Sequence, residues 1–166
     1  MNKLSSTLLL VCTMAIGAFA QKAMPSPPAK AEGKIDGINV TVDYHQPSAK
    51  GRKIMGGLVP YGEVWRTGAN ATTSIEFSAD VKVEGQALPK GKYGLFTIPG
   101  EDEWTIIFNK TIKWGAYSYS DKDDVLRVKV KPTKTSGMVE TFNIAVEGSK
   151  VVLKWENTQV AFAVSK

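Results

Sequence analysis

Hydrophobic residues recur at every second position along most of this chain, and that period fixes the kind of element it can build. Ile38, Val40, Val42 and Tyr44 alternate with Asn39, Thr41, Asp43 and His45, the pattern of a strand with one buried face. Ile75 with Phe77 and Val81 with Val83 continue it, and Gly85-Gln86 supplies a turn before Ala87-Leu88. Lys92 to Pro99 and Glu103 to Asn109 carry apolar residues on both faces, so these strands are expected to be central and covered on both sides. Leu126, Val128 and Val130 alternate with Arg127, Lys129 and Lys131, whose cationic stems can cover a wet face. Phe142 to Val146, Val151 to Trp155 and Val160 to Val164 close the series. No window beyond the N-terminus repeats at helical spacing. About nine short strands separated by turn signals predict an all-β single domain, a sandwich or a flattened barrel.

The N-terminus follows a different pattern. Lys3 precedes the apolar run Leu8 to Phe19, and Ala18-Phe19-Ala20 forms a small-residue cleavage site, so residues 1–20 read as a secretory signal peptide. The run is too short for a stable membrane span. Export to the periplasm or the medium is expected. Cleavage leaves about 146 of the 166 residues, the size of one domain with a real core. Cys12 is the only cysteine, so the mature chain has no disulfide, thiol nucleophile or thiolate ligand. The formal charge of +5 drops by one unit with Lys3. Its lysines are spread along the strands and form no basic stripe, so nucleic-acid binding is not expected. Ala23 to Lys30 is rich in proline, and residues 21–34 are expected to run as a flexible tether before a domain at 35–166.

The connection between His45 and Thr72 is too long for an ordinary turn, and loops of this length are folded on themselves or functional. Gly51, Gly56, Gly57, Gly62 and Gly68 permit close approach, while Ile54, Leu58, Val59 and Trp65 offer apolar anchors. Trp65-Arg66 joins a flat apolar surface to a planar five-donor fork, with Glu63 before and Asn70 after. That grouping suits a carboxylate, a sugar or a peptide backbone, and it equally suits a core anchor with a structural arginine. Trp114, Tyr117 and Tyr119 form a second aromatic group, able to stack on a ligand or to pack at an edge. If both segments serve one ligand, Trp65, Arg66, Asn70, Trp114 and Tyr117 must converge.

Catalytic and metal signals are weak. His45 is the only histidine, and no serine sits in a nucleophile-elbow context. Asp43 and His45 share a strand face, but zinc needs a third ligand that nothing nearby supplies. No metal and no cofactor is expected. Glu101-Asp102-Glu103 and Asp121-Lys122-Asp123-Asp124 read as solvated turns, since the second lacks the glycine and closing glutamate of a calcium loop.

The run GRKIMGGLVPYGEVWRTGAN (residues 51–70), with LPKGKYGLFTIP, EWTIIFNK and WGAYSY further on, resembles the bacterial domain-of-unknown-function 2911 family. The resemblance extends from Ile38 to the final strand. It rests on Gly51, Arg52, Gly57 to Gly62, Trp65 to Asn70, Asn109, Trp114, Gly115 and Tyr117. It implies a secreted or periplasmic β-rich domain with no established activity. Met55 stands where the family suggests an aromatic and His45 where it suggests a small polar residue, so a histidine-dependent mechanism fits it poorly. Two functional classes follow. One is a binding or accessory module for a glycan, peptide or small carboxylate. The other is a hydrolase with Glu63 or Asp124 as base and Arg66 as electrostatic stabiliser, and a purely structural envelope domain stands behind both.

Overall fold

The computed structural model describes residues 25–113 and 118–166. Ten strands form two antiparallel sheets among these residues. The larger sheet runs in the order β1 (Pro28–Ile35), β2 (Ile38–His45), β3 (Ser74–Phe77), β6 (Gly91–Ile98), β7 (Trp104–Asn109), β8 (Asp124–Val130). The smaller runs β5 (Gln86–Leu88), β4 (Val81–Val83), β10 (Lys150–Ser165), β9 (Thr133–Glu147). The sheets do not close into a barrel; they pack as a sandwich. Their inner faces supply one core from Val40, Val42, Ile75, Leu95 and Phe108 on one side and Phe142, Leu153, Phe162 and Val164 on the other. The phenol of Tyr44 ties the layers, accepting from Ile144 N at 3.1 Å and donating to Ile144 O at 3.3 Å. Leu95 and Phe96 are both fully buried, so β6 is covered on both faces as its unbroken apolar run requires.

Two expectations need correction. The segment read as a tether up to residue 34 is β1 from Pro28 onward, paired residue by residue with β2 from Pro28–His45 to Ile35–Ile38. Proline is tolerated there because β1 is an edge strand and its first residue loses no ladder bond. The hairpin turns on Asp36 (φ 50°) and Gly37 (φ 81°), the paired positive φ of a two-residue hairpin. Its weak hydrophobic signal has a steric cause: a Cβ on Gly33 would lie 2.6 Å from Val146 Cγ1, so the inward face of β1 must be small where β9 crosses it.

The second correction concerns the C-terminus. Val151 to Trp155 and Val160 to Val164 are one strand, β10, interrupted by register shifts between Lys154 and Glu156 and between Glu156 and Thr158. Glu156 takes φ 53°. This bulge resets the alternation, so Trp155 and Val160 both face the core although five positions separate them.

Residues 1–20, which the sequence leads one to expect as a signal peptide, lie outside the described residues. No helix among those described is long and apolar enough to cross a membrane.

Candidate functional site

Residues 46–73 leave β2, cross one end of the sandwich and return to β3, and both sheets hold them. On the smaller sheet, Ala49 N donates to Glu140 O at 2.8 Å and Phe142 N to Pro47 O at 2.9 Å. Glu140 Oε1 accepts Lys50 N at 2.8 Å, and Glu156 Oε2 accepts Ile54 N and Met55 N at 3.2 and 3.4 Å. On the larger sheet, Trp65 pairs its backbone with Thr97 in both directions, at 2.7 and 2.9 Å. Ala49, Ile54, Met55 and Val59 fill the space beneath. The glycine-rich loop is therefore a packed cap.

Trp65 is the centre of that cap. Its ring stacks on Trp155 at 5.9 Å and meets Phe142 and Trp104 edge-on, at 5.2 and 6.4 Å. Its Nε1 donates to Gly68 O at 3.1 Å. Of the two roles open to it, the indole occupies that of core anchor.

Arg66, the next residue, points the other way. It is half-buried and lines a cavity of about 340 Å³ with Arg52. Its Nε is enclosed and has no hydrogen-bond partner, and no carboxylate pairs with either arginine among the described residues. Arg52 is fixed by donating Nε to Ala49 O at 2.9 Å and Nη2 to Ser48 O at 2.7 Å. The rest of its fork remains available. Pro47, Leu58 and Val59 supply the apolar wall, with the edges of Trp65 and Trp155. No Asp, Glu or His lines this cavity. Two cations against an apolar wall are chemically complementary to an anion with a hydrocarbon body.

The backbone around Arg66 is strained. Thr67 holds φ 57° and Asn70 φ 57°, and a β-branched residue in that region is a true outlier costing ~1–3 kcal/mol. Thr67 is fully buried. Its hydroxyl donates to Thr97 Oγ1 at 3.2 Å, and Thr73 Oγ1 donates to Thr67 O at 2.7 Å. Trp65 and Thr67 are buried and Arg66 between them is not, the alternation of an extended stretch bridged to Thr97. Asn70 plays a supporting part, since its Nδ2 donates to Ser26 O at 3.2 Å and pins the N-terminal segment that forms one cavity wall.

Trp114 and Tyr117 lie outside the described residues. The chain leading to them reaches the cap at Thr72, whose Oγ1 donates to Lys113 O at 2.5 Å. Thr72 lines a separate cleft with His45, Asp43 and Lys30. Asp43 is committed there to Lys30 and Lys92, at 3.8 and 3.2 Å. Among the described residues no group of three His, Cys, Asp or Glu could hold a metal ion.

The acidic stretch at 121–124 is no simple solvated turn. Residues Asp121–Asp123 form a 3₁₀ turn, and Asp124 accepts from Asn109 Nδ2 at 2.7 Å, Tyr119 Oη at 2.8 Å and Arg127 Nε at 2.6 Å. Asn109 is fully buried and also accepts from Thr111 N at 2.7 Å. Tyr119 packs on Phe96 at 5.0 Å. Burial first, and then its hydrogen bond to Asp124, push the Tyr119 phenol up to about 12. The network seals the outer face of β6 and β7. Asp124 has its oxygens occupied and Glu63 is exposed outside the arginine cavity, so neither is placed to act as a base beside Arg66.

Arg52 and Trp155 line the arginine cavity although the sequence assigned neither a site role. Arg52 carried a faint signal, standing in the same loop as Arg66; Trp155 carried none, lying about ninety residues downstream in a regular strand.

Comparison with curated proteins and with solved structures gives no significant match. The family model of a protein of unknown function (DUF2911) matches residues 26–164, and the chain belongs to that family.

Proposed function

We propose that the protein is an exported binding module, working in the periplasm or the medium after loss of residues 1–20, whose Arg52–Arg66 cleft holds a small organic carboxylate. One observation carries this reading. Arg66 is a half-buried guanidinium with an enclosed Nε, no acceptor and no counter-ion among the described residues. A charge withdrawn from water without a partner is costly, and a ligand carboxylate offsets that cost on binding. Arg52 adds a second planar fork. The apolar wall of Leu58, Val59 and the tryptophan edges suits the ligand's hydrocarbon part, and the cavity's volume matches a ligand of few heavy atoms. The lining includes one hydroxyl, that of Ser26, and no Asp, Glu or His to act as its base, which favours binding over hydrolysis.

Calorimetric titration of the chain starting at Gln21, in phosphate-free buffer, tests the reading with benzoate and pentanoate against benzamide and pentanamide. The acids bind and the amides do not. Arg66→Met weakens the acids about 10–100-fold, the worth of a charge-assisted hydrogen bond. Equal binding of acid and amide, or indifference to Arg66→Met, rejects it.

A further inference from the structure

A separate cleft of about 300 Å³ is lined by Tyr61, Trp104, Glu101, Lys134, Asn157 and Thr158 among others. It does not include Arg52 or Arg66. Tyr61 is 39% exposed, yet its ring is not a free rotor. The Cδ2–Cε2 edge lies against Gly56, where a Cβ would come 2.6 Å from Tyr61 Cε2. Gly56 also has φ 73°, so glycine is required twice over to seat this ring. At the base of the ring, Gly62 N donates to Pro99 O at 2.8 Å, fixing the backbone that carries it. The result is a braced aromatic surface open to solvent on its remaining side.

Around it stand polar groups from three separate segments. Glu101 comes from the β6–β7 turn, Lys134 from the start of β9, and Asn157 with Thr158 from the bulge of β10. Glu101 and Lys134 are not within ion-pair distance of each other or of any other charge among the described residues. Their charges cancel across the cleft, so a net ion gains nothing there. What remains is a carboxylate acceptor, an ammonium donor, an amide that does both, and a flat ring. That is the chemistry of a molecule with an array of hydroxyls, each donating and accepting, and a ring face of C–H groups.

We infer that this cleft is a second binding site, for a neutral pyranose unit of a glycan, with its C–H face stacked on Tyr61 and its hydroxyls shared among Glu101, Lys134 and Asn157. The inference stands apart from the carboxylate reading, since the two clefts share none of the residues that carry either argument.

Titration of ¹⁵N-labelled protein with cellobiose and with N,N′-diacetylchitobiose, followed by amide chemical shifts, is the test. At least one of the two sugars moves the amides of Gly100, Glu101, Asn157 and Thr158. Tyr61→Ala weakens that binding about tenfold or more, whereas Tyr61→Phe, which keeps the ring, holds it within a few-fold. Thermal unfolding of each variant confirms that it is folded, and Asn157→Ala provides a second loss variant remote from the cap. Arg66→Met leaves the sugar response unchanged, so failure here is separable from failure of the carboxylate site. No shift in this cleft with either sugar, or shifts that survive both Tyr61→Ala and Asn157→Ala, overturns the inference.

Discussion

Replacing Arg66 by methionine separates a ligand-binding arginine from one that holds the fold, because the two roles give opposite signs of stability change. Methionine keeps an unbranched stem of similar length and removes the charge and the enclosed Nε. Leaving a buried polar atom unsatisfied costs ~1–3 kcal/mol, and the half-buried position of Arg66 places the relief at the lower end, about 1 kcal/mol after solvent screening. For a domain of this size that corresponds to a rise in Tm of about 3–5 °C. The measurement is urea unfolding followed by tryptophan emission, with wild type and variant in phosphate-free buffer, since an anion bound to the native state alone would mask the effect by mass action. The expected result is a higher midpoint at an unchanged m-value. A loss of ~3–5 kcal/mol, typical of breaking a buried ion pair, would refute the reasoning and make Arg66 a structural residue.

Three other perturbations probe the surrounding architecture. Trp155→Ala removes the ring stacked on Trp65 at 5.9 Å and is expected to destabilise by ~3–5 kcal/mol in the same assay. Glu156→Ala deprives Ile54 N and Met55 N of their acceptor; hydrogen exchange at those two amides accelerates, while Glu156→Gln, which retains a carbonyl oxygen, protects them better. Tyr119 is expected to ionise near pH 12 in an ultraviolet phenolate titration. Its folded value lies above its ordinary value near 10, so the stabilisation is complete below pH 10 and disappears as pH rises through 12. Asp124→Asn removes the carboxylate that accepts the phenol proton and lowers that midpoint; an unmoved midpoint contradicts the cause given.

The alternation of apolar residues made most strands legible because a half-buried strand writes its burial into every second position. β2, β6, β7 and β8 lie where that pattern placed them, and β6 and β7 are covered on both faces as their unbroken apolar runs required. β1 escaped because its inward positions are Ala31 and Gly33 as well as Ile35, kept small by the crossing of Val146. Small residues leave no hydrophobic period to read. β10 was split because a bulge at Glu156 shifts the phase of the alternation, and a phase shift looks like a turn when only one strand is seen.

The site divides in the same way. The sequence alone marked the connection between His45 and Thr72 as folded on itself or functional, with Trp65 and Arg66 as its chemically notable pair, because a stretch so dense in glycine, proline, tryptophan and arginine is no ordinary strand connection. Only the tertiary structure decided which of the two turns inward. The extended stretch that sends the two side chains opposite ways exists only through the bridge between Trp65 and Thr97, and contacts with Phe142 and Trp155 fix Trp65 as the inward one. The partnership of Arg52 with Arg66 likewise arises only when β9 and β10 hold the loop through Glu140 and Glu156. Those anchors lie about ninety to a hundred residues away along the chain, and a cavity made by such distant walls leaves no mark on any one stretch of sequence.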